Sequence, residues 1–281
     1  MSTGGDMVEK HSGLSAVKSA SRVLDVLELL AQHQQGLTFP ELVELLGFPK
    51  SSLHALLWTL HDRGWVALDE DTRRYRTGVR AWEAGQGFVH GVDLVRVADR
   101  HLRNARAELD ETVQLAILDG TDVVYVAKVE ANHPFQLVSR VGMRLPAYAT
   151  GLGKVLLAAL PPAELEARFE AFNFERFTDR TLTSFADLVD RLAQIRKDGF
   201  GEDDGEYTEG IFCVAAPVRD HTGAVVAALS CSAPRPRLDA REVDPQRIRE
   251  LVRAHGHALS TDLGWSGATS GTNPRIPSTR R

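Results

Sequence analysis

The 281-residue sequence lacks long apolar runs and has little cysteine, and each absence excludes a class of protein. No apolar stretch approaches the roughly 18 to 20 residues that a membrane helix needs, so no membrane partner is expected. The first thirteen residues lack the apolar segment of a signal peptide. Cys213 and Cys231 lie in apolar segments, which suits reduced buried thiols better than a disulfide framework. A cytoplasmic protein is therefore predicted.

The sequence also lacks the excess of positive charge that is common in nucleic-acid-binding proteins. Its net charge is −5, and between residues 14 and 80 eight Lys or Arg are balanced by eight Asp or Glu. Any DNA contact there must use local clusters rather than a strongly basic field. The candidate cations are Lys18, Lys50, Arg73, Arg74 and Arg76.

Residues 36–63 show two short amphipathic helical patterns that meet at Gly47. Thr38 and Glu41 match the T-x-x-E capping box, and Pro40 fits the first turn because its missing N–H costs little there. Helical spacing predicts a buried stripe of Leu42, Leu45 and Leu46. Gly47 is expected to end this helix.

The second pattern is predicted to start with Pro49 as its first helical residue. Its buried stripe is Leu53, Leu56, Leu57 and Leu60, and its outer face carries Lys50, Ser51, Ser52, His54, Ala55, Trp58 and His61. Spacing alone leaves two interpretations open. One is a helical hairpin, and the other is a helix-turn-helix whose second helix presents its N-terminal residues to the major groove.

The residues that follow favour the second interpretation. Residues 64–68 predict a strand, 69–72 a polar turn, and 73–77 a returning strand with three arginines suited to phosphate contact. A winged helix-turn-helix is therefore predicted over residues 14–78. The candidate DNA-binding residues are Lys50, Ser51, Ser52, His54, Trp58, Arg73, Arg74 and Arg76.

Helical spacing also predicts a supporting helix over 19–32, a linker helix over 79–92 and a third helix over 94–109. After residue 109 the spacing of the apolar residues changes from the helical period to that of strands. Strands are predicted at 113–118, 123–129, 135–141, 211–218 and 224–232, and helices at 155–160, 163–172, 184–197 and 244–263. This mixture indicates an α+β sensory domain over residues 93–264. Residues 1–13 and 265–281 are expected to be disordered.

Several motifs occur in the order found in the IclR family of bacterial transcription regulators, which this sequence resembles over residues 14–264. They are VKSASRVLDVL from Val17, GFPKSS from Gly47, GWV from Gly64, TGLGKVLLA from Thr150, IRKDGF from Ile195 and EGIFCVAAPV from Glu209. The resemblance implies an N-terminal winged helix, a linker helix and a C-terminal GAF-like domain that binds a small metabolite. It also implies dimers or tetramers that act on palindromic operators.

One position departs from the family pattern. Ala55 stands where the family commonly has an arginine in the recognition helix. Because a good bidentate base contact contributes about 1 to 3 kcal/mol of discrimination, the other outer-face residues and the wing must carry more of the contact.

The resemblance places an effector pocket on Leu152, Gly153, Asp203, Ile211, Cys213, Ser230 and Ser232. Free amides at the start of a helix near Gly151 suit a carboxylate or other oxyanion. Ser230 and Ser232 supply hydroxyls from alternate positions of one strand. Phe135 and Val138 are looser candidates for an apolar wall.

The strand register around Cys213 is open in the sequence. A two-residue turn at 220–223 puts Cys213 opposite Ser230, whereas a bulge at Gly223 puts it opposite Cys231. The resemblance favours the first pairing. Without it, Cys213 is more simply a buried apolar strand residue.

Other chemistries fit the sequence poorly. Residues 150–154 lack the first glycine of a P-loop, since Tyr148 occupies its place, and Val155 replaces the magnesium-binding Ser or Thr. No cofactor or metal is expected, because the ten histidines are scattered. An enzyme that uses Cys213, or a metabolite-binding module whose winged helix contacts protein, is the alternative to a non-enzymatic regulator.

Overall fold

The capping box at Thr38 and Glu41 forms as predicted in the computed structural model, which describes residues 17–33, 35–84, 94–133, 137 and 139–267. The Thr38 amide donates to the Glu41 carboxylate at 2.7 Å. This bond satisfies an N–H that has no partner inside the helix. Gly47 ends the helix in the left-handed conformation, with φ of 64°, which a glycine adopts without a Cβ penalty.

The first of two compact units, Met1–Val92, is built from short helices and a small sheet. Its elements are α1 (Lys18–Gln32), β1 (Leu37–Thr38), α2 (Phe39–Leu46), α3 (Lys50–Asp62), β2 (Val66–Asp69) and β3 (Arg74–Thr77). The strands pair antiparallel in the order β1-β3-β2. Residues 79–84 are helical, and the rest of the predicted linker helix lies outside the described residues. The predicted winged helix-turn-helix is confirmed.

The core of this unit corrects two details of the sequence interpretation. Leu42 is fully buried and Val43 and Leu46 are half-buried, but Leu45 is 56% exposed. The side of α2 that carries Leu42 and Leu46 packs against the core of the unit. Leu45 lies outside this buried side and faces solvent. Pro49 is the residue before α3 rather than its first helical residue.

The second unit, Asp93–Arg281, is a six-stranded sheet with helices on both faces. Its helices are α4 (Leu94–Leu109), α5 (Gly151–Ala158), α6 (Pro162–Arg168), α7 (Phe185–Asp198), α8 (Arg235–Asp239) and α9 (Pro245–Asp262). Its strands are β4 (Thr112–Asp119), β5 (Asp122–Val129), β6 (Arg144–Pro146), β7 (Gly201–Asp204), β8 (Ile211–Arg219) and β9 (Val225–Pro234). They pair antiparallel in the order β6-β5-β4-β9-β8-β7. The predicted α+β fold class is confirmed.

Successive residues of the central strands contribute alternately to two apolar cores, one on each face of the sheet. Val113, Val214 and Cys231 pack with α4 and α9 on one face. Ala116, Ala215 and Ala228 pack with α5, α6 and α7 on the other. Because side chains of successive strand residues point to opposite faces, the two cysteines serve different faces. Cys231 belongs to the apolar core of the α4 and α9 face.

Both predicted registers of the β8/β9 hairpin are wrong, because Cys213 lies opposite Ser232. The turn itself agrees with the bulged alternative, because Asp220 N–H donates to the Ala224 carbonyl at 3.0 Å and Arg219 lies opposite Val225. The Asp220 carboxylate accepts from the Thr222 amide at 2.8 Å. An irregularity between Val218 and Arg219 shifts the pairing further. Cys213 and Ser230 still share one face, since Ser230 and Ser232 are two residues apart.

Four other features differ from the sequence interpretation. Strand β7 is absent from the prediction, and α5 begins at Gly151 rather than at 155. Residues 139 and 140 form no strand, and Phe135 and Val138 lie outside the described residues. Trp265 was assigned to the tail, but its ring packs against His257 with centroids 5.1 Å apart, so it belongs to the domain.

Candidate DNA-binding surface and effector pocket

The recognition helix α3 presents most of its predicted contact residues to solvent. Lys50, Ser51 and His54 are exposed, and Trp58 is 64% exposed. Leu53, Leu57 and Leu60 are buried on the opposite side. The exposed residues of the first turns thus form the surface that a major groove would meet.

Ser52 is only half-exposed, because an arginine of another helix reaches it. Arg22 of α1 donates through Nη1 to the Ser52 Oγ at 3.0 Å. The Arg22 guanidinium lies over the Phe48 ring, 5.0 Å from its centroid. Arg22 therefore joins α1, the turn and the recognition helix. The sequence interpretation missed it, since no short-range pattern marks a contact across thirty residues.

The three wing arginines have different surroundings. Arg73 is exposed, and among the described residues it pairs with Glu70 at 2.8 Å. Arg76 approaches Asp69 at 3.8 Å. Arg74 instead donates to the Gly36 carbonyl at 2.7 Å and to the Glu41 carboxylate at 3.3 Å. Arg74 thus ties the wing to the start of α2, while Arg73 and Arg76 remain directed to the surface.

The second unit contains a cavity of about 300 Å³ against one face of its sheet. It is lined by six of the seven predicted effector residues, namely Leu152, Asp203, Ile211, Cys213, Ser230 and Ser232. Residues outside that predicted set of seven complete the lining: Gln114, Tyr125, Leu137, Ser139, Leu145, Thr150, Gly151, Tyr207, Thr208 and Glu209. The volume suits a small organic molecule rather than a nucleotide.

The floor of the cavity is a row of polar side chains across four strands. Asp203 on β7 lies opposite Cys213 on β8, which lies opposite Ser232 on β9. The Cys213 Sγ and Ser232 Oγ are 2.9 Å apart, and Ser232 Oγ donates to the Gln114 Oε1 on β4 at 3.3 Å. Gln114 Nε2 donates in turn to the Ser139 Oγ at 2.7 Å. Gln114 thereby links the floor to a side wall.

Ser230 differs from its neighbours on the floor. Its side chain is 1% exposed, and its Oγ has no hydrogen-bond partner within the described part of the chain. Burying a hydroxyl without a hydrogen-bond partner lowers the stability of the folded state by roughly 1 to 3 kcal/mol, because the group has lost its bonds to water. The group lines the cavity and is available to a ligand atom that donates or accepts a hydrogen bond.

Gly153 has a structural role that differs from the predicted one. Its amide donates to the Thr150 Oγ1 at 3.0 Å, which caps the start of α5. A Cβ on Gly153 would lie 2.2 Å from the Ala147 carbonyl oxygen. The residue is therefore placed against the backbone before the helix, and it does not line the cavity. The first two amides of α5, those of Gly151 and Leu152, have no partner inside the helix.

A buried ion pair lies beside the cavity. Lys154 is fully buried, and its Nζ contacts the Glu206 carboxylate, which Arg191 approaches at 3.7 Å. Burial lowers the pKa of the Lys154 ammonium, against the attraction of Glu206 and Asp203. Lys154 is thus held away from the cavity, unlike the lysine of a P-loop.

Burial also changes the ionisation of the groups on the floor. It raises the pKa of the Asp203 carboxyl to about 7, although Lys154 and the bond from the Glu206 amide (2.6 Å) act in the opposite direction. Burial likewise raises the pKa of the Cys213 thiol, and the Asp203 charge adds to this shift. Cys213 is therefore a protonated thiol at neutral pH, poorly suited to nucleophilic attack.

None of the helices in the described part of the chain is long and apolar enough to cross a membrane. Within the same residues, no three His, Cys, Asp or Glu side chains are grouped closely enough to hold a metal ion.

A winged helix-turn-helix joined in one chain to a domain with a polar cavity defines a two-domain transcription regulator. The family model described as "Bacterial transcriptional regulator IclR C-terminal" matches residues 86–261, and the one described as "IclR helix-turn-helix domain" matches residues 19–70. The chain belongs to the IclR family and is a transcriptional regulator with a helix-turn-helix DNA-binding domain.

Individual proteins show the same relationship. The HTH-type transcriptional regulator XynR of Escherichia coli K12 is 37% identical over 249 residues, which cover 89% of this chain and 98% of XynR. The crystal structure of Thermotoga maritima IclR has a TM-score of 0.72 and 27% identity, covering 88% of this chain and 99% of that one. An IclR homologue from Microbacterium hydrocarbonoxydans, complexed with 4-hydroxybenzoate, has a TM-score of 0.78 and 25% identity, with coverages of 88% and 99%.

Proposed function

We propose that the protein is a ligand-responsive regulator that binds a palindromic operator as a dimer or tetramer, with a small organic acid as effector. The observation that carries the effector assignment is Ser230, a buried hydroxyl that faces a cavity of suitable size and has no hydrogen-bond partner among the described residues. The homologue complexed with 4-hydroxybenzoate supports a small carboxylate as the class of ligand.

The mechanism that we propose is binding rather than catalysis. The Cys213 thiol, the strongest candidate nucleophile, is kept protonated by burial. Effector occupancy would bias the connection near residues 79–92 and so change the spacing of two recognition helices. In a symmetric dimer these must match half-sites about 34 Å apart or a multiple of that distance.

Footprinting on the DNA that flanks its own gene tests the regulator assignment directly. We expect a protected palindrome whose half-sites are about one helical turn apart or a multiple of it. The experiment is repeated over a range of salt concentrations, because phosphate contacts weaken as salt rises. If no palindrome is protected even at low salt, the operator proposal is wrong.

Replacing Arg73 or Arg74 by alanine is expected to affect DNA binding in different ways. Arg73 is exposed, so its loss should remove about one phosphate contact and reduce the slope of log K against log salt by about 0.9. Arg74 holds the wing to Gly36 and Glu41, so its replacement should lower the melting temperature of the N-terminal domain as well. Salt titrations by fluorescence anisotropy and calorimetry separate the two effects.

Arg63→Ala serves as the control for these variants, since Arg63 is an exposed residue that follows α3 and was not predicted to contact DNA. An unchanged salt slope for Arg73→Ala would remove Arg73 from the contact surface. Unchanged DNA retention after replacement of all three wing arginines would favour a winged helix that serves protein contacts.

Ser230→Ala is expected to weaken effector binding while leaving effector-free DNA binding intact. The lost hydrogen bond should reduce affinity by roughly 1 kcal/mol, about fivefold. Calorimetry with the effector and footprinting without it measure the two properties. Cys231→Ala is the control, because Cys231 neighbours Ser230 but lies in the core of the opposite face. Equal loss of both properties in Ser230→Ala would indicate misfolding or a wrong site.

A further inference from the structure

The effector cavity has no cationic side chain among the described residues that line it. Its ionisable lining residues are two carboxylic acids, Asp203 and Glu209, together with Cys213 and two tyrosines. Asp203 is 5% exposed, so little water is available to screen its charge. Two carboxylates that share a poorly solvated site cannot both ionise without a large energetic cost.

The charged groups around Asp203 are balanced before any ligand enters. On α5, Lys154 carries one positive charge, and on α7, Arg191 reaches the same cluster at 3.7 Å from Glu206. These two cations match Glu206 and an ionised Asp203. An effector carboxylate placed beside Asp203 would add a negative charge with no cation in the lining to receive it.

The remaining titratable groups near Asp203 supply no positive charge. The segment after β7 contributes Glu206 and Tyr207, strand β8 contributes Cys213, and strand β5 contributes Tyr125. Burial raises the pKa of Tyr125, and Cys213, Asp203 and Tyr207 add to this shift. On its own strand, Glu202 is bonded to Arg249 and Asp204 is bonded to Arg180 and Arg235. The arginines that contact the neighbours of Asp203 on β7 are thus already engaged with other carboxylates.

We propose that a carboxylate effector enters this cavity together with one proton, which the Asp203 carboxyl takes up. The proposal rests on the proposed function, in which the effector is an organic acid. The ligand then replaces the charge that Asp203 gives up, so the cluster with Lys154, Arg191 and Glu206 stays balanced. The protonated Asp203 also gains an O–H donor that can hydrogen-bond to the carboxylate.

The proton makes effector affinity depend on pH, and the sign follows from linkage. Burial raises the pKa of Asp203 to about 7 in the free protein. Below that pH the carboxyl already holds its proton and affinity is flat. Above it, each pH unit costs up to tenfold in affinity, because the proton must be taken from solvent. A carboxylate should thus bind about 30-fold more weakly at pH 8.5 than at pH 6.

Isothermal titration calorimetry on the full chain tests this, with acetate and benzoate as probes and acetamide and benzamide as their uncharged isosteres. Titrations at pH 8 in two buffers of different ionisation enthalpy report the protons taken up. We expect close to one proton for each acid bound and none for an amide. Asp203→Asn should bind the acids without proton uptake and with the same affinity at pH 6 and pH 8.5.

Glu209→Gln is the matched variant, because Glu209 is the other acid that lines the cavity. It should retain the proton uptake of the unmodified protein. This result tests the assignment to Asp203 even if the Asp203→Asn variant does not fold. Loss of uptake in Glu209→Gln, or its persistence in a folded Asp203→Asn, would overturn the assignment to Asp203.

The remaining outcomes separate this inference from the proposed function. If the acids bind with an affinity that does not depend on pH, the inference of proton uptake is wrong, but the proposal of an organic-acid effector is still supported. Binding of the amides but of neither acid at pH 6 overturns both the inference and the choice of a carboxylate. Absence of binding by all four probes also counts against the inference, while the operator proposal is decided separately by footprinting.

Discussion

Gly153→Ala is expected to lower the free energy of unfolding of the C-terminal domain by about 3 kcal/mol or more. A Cβ at this position would lie 2.2 Å from the Ala147 carbonyl oxygen and 2.3 Å from the Ala147 Cα. These are backbone atoms of a buried segment, so no flexible side chain can move to relieve the overlap. For a domain of this size the melting temperature should fall by roughly 6 to 12 °C.

Gly151→Ala is the matched control for Gly153→Ala in differential scanning calorimetry. Gly151 belongs to the same helix, but a Cβ there would meet its nearest atom, the Asp203 nitrogen, at 3.4 Å, an ordinary contact. Alanine also favours a helix over glycine by about 1 kcal/mol. The control should therefore melt near the temperature of the unmodified protein. If both variants melt there, Gly153 does not pack as described.

Lys154→Met should destabilise the same domain by roughly 3 to 5 kcal/mol. The substitution keeps much of the side-chain volume but removes the positive charge that Glu206 faces. Glu206 is itself buried, and Arg191 lies 3.7 Å away with a side chain that is 45% exposed. The Glu206 carboxylate would thus lose its closest partner in a site where water cannot replace it.

Urea titrations of a double-mutant cycle measure this interaction. Lys154→Met combined with Glu206→Gln removes both charges and should recover most of the stability that Lys154→Met loses. Lys197→Met is the control, because Lys197 is exposed on α7 and should change stability by less than about 0.5 kcal/mol. If the double variant is as unstable as the single one, the loss comes from packing and not from an unpaired charge.

The sequence predicted long periodic elements well. The helix predicted over 94–109 is α4, and its buried residues form one side of it, because sixteen residues with one apolar stripe have one favourable packing direction. They are Leu94, Ala98, His101, Leu102, Ala105 and Leu109. The capping box at Thr38 and the glycine that ends α2 were likewise predicted from local chemistry. Such features depend on residues only a few positions apart.

Features that depend on distant pairing were missed. Strand β7 has the sequence GEDD, which carries no alternation of apolar and polar residues, and it is a strand because β8 pairs with it. The contacts of Gln114 with Ser139 and Ser232 join positions separated by 25 and 118 residues. The family resemblance supplied the pocket residues that local patterns could not. It also included Gly153, whose role in the structure is to pack against Ala147.

The contact of Arg22 with Ser52 and Phe48 has a consequence for how the specificity of this regulator can evolve. Replacing Arg22 removes the contact of both Ser52 and Phe48, and replacing either of these removes one of the two contacts of Arg22, so the three residues are expected to vary together among related proteins. Lys50, Ser51 and His54 are free of that constraint. Changes in operator preference should therefore accumulate at these three positions, while the triplet is inherited as one unit.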